Sequence, residues 1–334
     1  MLNKKSFIQR TIIGIGIFAV MIGMILLNIF LINPSSNQNN IFLSGRAINS
    51  LILSVLIVLA VIEMRRAIGK ERIPDYYSWI IWAYGIGLGP AYALFGFSGI
   101  VFFTLLIFAS SVITALLHNN VQSLFFVAFM LVYPGLMMAS LLYINRCAST
   151  QTIDPTNPIY PYLENDIWSL ISQHRVTQLL PYNAIGLAFV FAVSSFTDVF
   201  AYLVGSLFGK NKLCPQISPN KSVEGAIGGV VGGLLGSTIV YLVFELLLPA
   251  VGMPQFGLSS FNLSPFNRIL AYVLIGLFGS VLTQIGDLLA SLVKRYCGIK
   301  DYSHILGAHG GIMDRFDGIL LNSVFVASVF MFII

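Results

Sequence analysis

The chain has 334 residues, of which 57% are hydrophobic and 9% charged, whereas soluble domains are roughly 25% charged. With a mean hydropathy of +0.87, this composition excludes a soluble globular domain, and uncharged apolar runs of about 20 residues, rather than short alternating segments, exclude a transmembrane β-barrel. The net charge of +5 does not mark a nucleic-acid binder, because the basic residues fall between hydrophobic runs and not in one patch.

The first run, 11–32, follows Lys4, Lys5 and Arg10. It is too long for the apolar core of a signal peptide and no small-residue cleavage site follows it, so it reads as a membrane span. Further spans are expected near 47–62, 77–95, 98–117 and 121–143. Gly96, Ser98 and Gly99 separate the third from the fourth, and Pro134 kinks the fifth. The polar stretch 146–183 is expected to be an extramembrane loop carrying a short surface helix around 167–172. Four more spans are expected near 184–204, 225–248, 268–290 and 318–334. The fold class is therefore all-α, polytopic, with about nine transmembrane helices. An N-terminal membrane region covers 1–145, the polar loop 146–183, and a C-terminal catalytic membrane region 184–334.

With the N-terminus in the cytoplasm, nine spans place 14 of the 18 Lys and Arg residues on the cytoplasmic side, among them Lys221, Lys294, Arg295, Lys300 and Arg315. Only Arg46, Arg146, Arg175 and Arg268 fall outside, the asymmetry that the positive-inside rule expects. Cys147, Cys214 and Cys297 are scattered and form no CxxC pair, so they read as packing residues.

Acids inside membrane spans are costly and face a bundle interior or a wet cavity. Three are expected there: Asp198, Glu245 and Asp287. Glu245 lies within a turn of Pro249 and reads as an interfacial carboxylate at the outer end of its helix. The N-terminal half shows no polar constellation within its spans. Asp287, Ser291 and Lys294 are spaced four and three residues apart and share a helix face. Just beyond, KRYCGIKDYSHILGAHGGIMDRFDG (294–318) holds seven charged residues and two histidines, in a chain that is 9% charged overall.

Within that run Lys300 and Asp301 precede His309, and Gly310 and Gly311 permit close backbone approach. Asp314 and Asp317 share a face if the last helix begins there; a capped, solvated helix start is the competing reading of these acids. His309 is one of only four histidines, so a substrate hydrogen bond or a local structural role fits better than zinc. Asp287, Asp314 and Asp317 supply hard oxygen ligands suited to Mg2+, and Lys294, Arg295, Lys300 and Arg315 can hold phosphate oxygens. Carboxylates, metal and a cationic rim are what phosphoryl or nucleotidyl transfer needs. Upstream, Asp198, Ala201, Tyr202 and Gly205 recur at helical spacing, and the following loop, on the same membrane face, carries Ser218, Lys221, Ser222 and Glu224. The glycines from Gly225 to Gly236, four residues apart in two rows, read as a helix-packing ridge.

The run from Ser291 through Lys294, Arg295, Lys300, Asp301, His309, Gly310 and Gly311 to Asp314, Arg315 and Asp317 resembles the signature of phosphatidate cytidylyltransferases, also called CDP-diacylglycerol synthases. Gly286, Asp287 and Leu288 are similar to that family's GDL, and Phe196 to Gly205 to its FxDxxAYxxG stretch. Ser218 to Gly225 is similar to its SPxKTxEG loop, with Ser222 for the usual threonine and Asn220 where lysine is common. The resemblance covers about residues 190–318. It implies transfer of CMP from CTP to phosphatidic acid, giving CDP-diacylglycerol and pyrophosphate, at the cytoplasmic face of the cell membrane. It implies Mg2+, a second cation left open, with Asp287 and Asp314 as main ligands and Asp317, Asp198 and Lys300 completing the centre or binding phosphate. Tyr202, Ser218, Lys221, Ser222, Glu224, Ser291, Lys294, Arg295, Asp301, His309, Gly310, Gly311 and Arg315 are then candidate substrate contacts. CTP, phosphatidic acid and the bilayer are the expected partners, with a homodimer left open. The competing functions are a CTP-dependent lipid-alcohol kinase and an ion-coupled transporter.

Overall fold

Apolar runs interrupted by few glycines or prolines become helices, since in lipid every backbone N–H and C=O must be satisfied within its own segment. The computed structural model describes residues 4–30, 45–146, 149–152, 177–180, 182–251, 257–261, 263–307 and 310–333. In chain order these contain α1 (Lys4–Phe30), α2 (Gly45–Ile68), α3 (Ser78–Leu117) and α4 (Val121–Arg146). Then come α5 (Tyr182–Phe208), α6 (Val223–Ala250), α7 (Pro265–Tyr296) and α8 (Met313–Ile333). Among the described residues, 7 helices, α2 to α8, are long and apolar enough to cross a membrane, and the apolar part of α1, Ile15–Ile29, is shorter.

The break expected at Gly96 is present, and it is a reversal. Gly96 has φ 63° and ψ −148°, outside the helical region, and the two arms of α3 fold back on each other. The Tyr77 hydroxyl donates to the Ser111 carbonyl at 3.4 Å, and the Tyr84 and Thr104 hydroxyls lie 3.5 Å apart. In one straight helix residues 20 apart would be separated by about 30 Å. Each arm has about 20 residues, enough for one crossing. Pro134 interrupts α4 as expected, within a π-helical turn at Leu131–Leu136.

Three of the helices extend further than their hydropathy suggested. The second continues to Ile68 and so includes Glu63. The seventh runs for 32 residues, about 48 Å, and carries Lys294 and Arg295 in its last turn. The last helix starts at Met313, five positions ahead of the expected 318, which places Asp314 and Asp317 in its opening turns. Strands are confined to two short antiparallel hairpins among the described residues: β1 (Ser149–Thr152) with β2 (Thr177–Leu180), and β3 (Lys212–Cys214) with β4 (Ser218–Ser222). The second occupies what the sequence presented as a plain loop. The surface helix expected at 167–172 and Cys147 lie outside the described residues, while Cys214 and Cys297 are free thiols.

Side-chain contacts sort the helix ends into two sets. At one end the Arg295 Nε donates to the Ile217 carbonyl at 3.3 Å, Arg72 stacks on Tyr296 at 4.6 Å, and Asn120 donates to the Tyr76 hydroxyl at 3.2 Å. This joins the α2–α3, α3–α4, α5–α6 and α7–α8 connections. At the other end Asn28 donates to the Asn145 side chain at 3.1 Å, Asn145 to Ser50 at 2.9 Å, and Asn183 to the Asn145 carbonyl at 3.0 Å. That network corrects the expectation of an N-terminal half without a polar constellation. Its members are too far apart in sequence to show a period, and buried amides in an apolar bundle have to find one another. Glu245 belongs to this end too, but it is buried: its side chain is 5% exposed, 3.5 Å from Arg268, and accepts from Tyr272 and the Ser259 N–H at 3.0 Å each.

The glycine ridge of α6 packs as read. A Cβ at Gly228 would come within 3.0 Å of the Phe200 carbonyl, and one at Gly236 within 2.8 Å of Ala192's; Gly232 meets the Phe196 carbonyl and Gly233 meets Ser280 of α7. The most extensive helix pairing in the molecule is α5 against α6, with α7 against both. This close three-helix packing, joined by α8 on α7, carries the acids of the C-terminal half.

Candidate active site

Three helices aim carboxylates at one region near the basic end. Asp198 comes from α5, Asp287 from α7, and Asp314 and Asp317 from the opening turns of α8. The approach is close because Gly286 faces the α8 backbone, where a Cβ would lie 2.6 Å from the Asp317 carbonyl. Asp198 and Asp317 both lie within electrostatic reach of Asp287 and, in the case of Asp317, of Asp198. The cations acting on this group are Lys221 and Arg315 at Asp198, and Lys294 at Asp317.

Two carboxylates already hold a cation. Lys221 Nζ lies 2.7 Å from Asp287 Oδ2, an ion pair by distance whose approach falls outside hydrogen-bond directions. Lys294 Nζ donates to Asp314 Oδ1 at 2.9 Å, with the Asp314 side chain only 5% exposed. The other Asp314 oxygen accepts from the backbone N–H of Tyr302 at 2.8 Å and of Gly311 at 2.9 Å. Asp314 thus ties the α7–α8 loop to the start of α8. Gly310 serves the same closure: its φ of +81° is strained for other residues, and a Cβ there would lie 2.7 Å from Asp314 Oδ2. Burial pushes the Tyr302 hydroxyl well above the ordinary phenol range, so it stays a donor, to the Ala290 carbonyl at 3.2 Å.

The remaining predicted residues divide. Arg315 and Asp198 line a 310 Å3 cavity with Ser194 and Gly318, whose apolar wall is Ile17, Phe18 and Met21 of α1. Ser291 is half-buried on the face of α7 that carries Asp287, and Asp301 is half-buried in the loop. Arg295 and Lys300 are exposed beside them. Ser222 caps α6, its hydroxyl accepting from the Gly225 N–H at 3.1 Å, and Ser218 is half-buried at the start of β4. Glu224 accepts from the N–H groups of Lys210 at 3.1 Å and Asn211 at 3.2 Å, closing the α5–α6 connection. Ala201 and Gly205 contact Gly225 as packing, while Tyr202 is 75% exposed. His309 lies outside the described residues.

One residue escaped the sequence reading. Glu63 of α2 is fully buried, and its carboxylate accepts from Ser303 Oγ at 2.5 Å, from the Ile312 N–H at 3.0 Å and from the Met313 N–H at 2.9 Å. An acid in the last turns of an apolar helix opposes the helix dipole, and that mismatch was the available signal that Glu63 needs a partner elsewhere.

Asp287 and Asp314, each paired with a lysine ammonium, offer hard oxygen donors of the kind that divalent cations take. Among the described residues no three His, Cys, Asp or Glu side chains converge on one point. Cations and carboxylates facing a cavity with an apolar wall can bind a phosphate carried by a lipid.

Comparison with known proteins bears on this arrangement. The family model described as Cytidylyltransferase family matches residues 8–333. The chain is 39% identical over 156 residues to a phosphatidate cytidylyltransferase of Bacillus subtilis (strain 168), covering 46% of this chain and 51% of that protein. It is 38% identical over 170 residues to one of Aquifex aeolicus (strain VF5), covering 47% and 56%. A third, from Staphylococcus saprophyticus, is 41% identical over 132 residues, covering 40% and 44%. The chain therefore spans about half the length of these curated relatives.

Proposed function

The chain belongs to the cytidylyltransferase family, and on that premise we propose that it transfers CMP from CTP to phosphatidic acid, forming CDP-diacylglycerol and pyrophosphate. The observation that carries this reading is the pairing of Asp287 with Lys221 and of Asp314 with Lys294 beside the cavity that Asp198 and Arg315 line. An oxygen of the phosphatidate phosphate attacks the α-phosphorus of CTP; the new P–O bond forms as the bond to the β-phosphate oxygen breaks, and pyrophosphate leaves. The nucleophile is already an anion, so no strong general base is needed. The obstacle is repulsion between two polyanions, and neutralising it is the work of the site.

Mg2+ is the proposed cofactor, held by Asp287 and Asp314, with Asp198 and Asp317 as neighbouring carboxylates. When bound, it supplies charge neutralisation and Lewis-acid polarisation of phosphate oxygens. With the carboxylates holding the metal, Lys221 and Lys294 would be free to bind phosphate oxygens together with Arg315, Arg295 and Lys300. The lipid phosphate enters from the cavity, its acyl chains remaining against the apolar wall of α1, while CTP arrives from the basic end. That end is proposed to face the cytoplasm, in a cell-membrane protein with its N-terminus inside. The basic connections gathered there support this by the positive-inside rule.

Purified protein should convert CTP and phosphatidate to CDP-diacylglycerol and pyrophosphate only with Mg2+ present. Asp287→Asn and Asp314→Asn should each reduce turnover per folded molecule by about 100-fold or more. Release of CDP in place of pyrophosphate would make the protein a kinase. Full turnover in either variant would remove the metal assignment.

A further inference from the structure

The reactive residues found so far lie in the C-terminal half, yet the structure anchors them from the N-terminal half. The start of α8 offers the free backbone donors that every helix N-terminus has, next to two glycines in a run rich in cations. Such an end is suited to a phosphate. Here the protein fills it with its own carboxylates: Ile312 and Met313 donate to Glu63 at 3.0 and 2.9 Å, and Gly311 donates to Asp314 at 2.9 Å. Glu63 also holds Ser303, further back in the α7–α8 loop, at 2.5 Å. A Cβ at Gly311 would lie 2.5 Å from both Glu63 oxygens, so the backbone fits closely around the carboxylate.

We propose that Glu63 is a positioning residue for the reaction: from α2 it fixes the first turn of α8 and the loop before it, and thereby the placement of Asp314 and Asp317. The carboxylate is three hydrogen bonds deep in a fully buried position, which a solvated helix end does not require. It acts through Asp314, whose two backbone donors, Tyr302 and Gly311, lie in the segment that Glu63 clamps at Ser303 and Ile312. The triphosphate is correspondingly directed to side-chain cations and away from the helix end.

The catalytic arm of the test rests on the function proposed above; the structural arm does not. In purified full-length protein, Glu63→Gln keeps the shape but replaces one acceptor oxygen by a donor facing backbone N–H groups. Turnover per folded molecule should fall about 10- to 100-fold, the scale seen when an outer-shell partner is lost. KM for CTP and for phosphatidate should stay within about threefold, since no substrate contact is removed. Ser303→Ala, which deletes one of the three hydrogen bonds, should give a smaller fall in the same direction. Hydrogen exchange at 310–316 should accelerate in Glu63→Gln without a matching change in α5 and α6. Wild-type turnover and unchanged exchange in Glu63→Gln would overturn the proposal, as would a loss spread evenly over the molecule. If the wild-type protein makes no CDP-lipid, the functional reading fails and hydrogen exchange alone decides the clamp.

Discussion

Asp287 of α7 and Lys221 of the α5–α6 connection form an ion pair at 2.7 Å, so under the proposed function the lysine and a metal ion would compete for one carboxylate. Removing the lysine should therefore separate two effects. Lys221→Ala is expected to lower the Mg2+ concentration for half-maximal activity, because Asp287 no longer exchanges partners, and to raise KM for CTP, because a phosphate contact is lost. Titration of Mg2+ at fixed CTP, then of CTP at saturating Mg2+, checks both; a rise in the Mg2+ requirement would contradict the exchange. Lys294 stands differently. It is 15% exposed, lies 5.6 Å over the Tyr302 ring and meets an Asp314 that backbone N–H groups hold on its other side. Breaking a buried pair leaves an uncompensated charge worth about 3–5 kcal/mol, so a variant at Lys294 would test stability before chemistry.

At the scale of elements, the α5–α6 pairing is set by backbone meeting backbone across glycines. A side chain at Gly232 would meet the Phe196 carbonyl and the Phe200 Cβ, atoms that cannot move without displacing the helix bearing Asp198. Gly232→Val is expected to destabilise the protein by about 1–3 kcal/mol through overpacking. Thermal unfolding in detergent measures it; an unchanged midpoint would mean that the two helices separate freely. The sequence revealed this ridge, the break at Gly96 and the acids of α7 and α8, because spacing and isolated charge are local properties. It did not reveal that Lys221 would pair with Asp287, or that Asn28, Ser50, Asn145 and Asn183 would form one network. Those contacts depend on which helices become neighbours, and no period within one helix encodes that. The ends of α2 and α8 were misjudged for a related reason: hydropathy falls at charged residues, whereas the helix continues while its donors and acceptors have partners.

For the whole molecule, the reversal at Gly96 brings the connections carrying Arg72, Lys221, Arg295 and Lys300 to a common end. Orientation then becomes testable with the thiols the chain already has. Cys214 and Cys297 are both at the basic end. A membrane-impermeant maleimide should modify Cys214 in inside-out vesicles and not in right-side-out ones; the reverse pattern would invert the topology. Burial raises the Cys297 thiol above its ordinary range. Its thiolate fraction at neutral pH is therefore reduced, and its labelling should lag behind that of Cys214 and gain more as pH rises. The Glu63 clamp has a consequence for biosynthesis. Glu63 leaves the ribosome 250 residues ahead of Met313, so α2 enters the bilayer with a carboxylate whose partners have not been made. Until the last hairpin is inserted, Glu63 lacks the three donors that it has in the folded protein. Completion of the α7–α8 loop is then also the step that pairs this acid, so a product truncated before Ser303 would keep an unpaired carboxylate in α2.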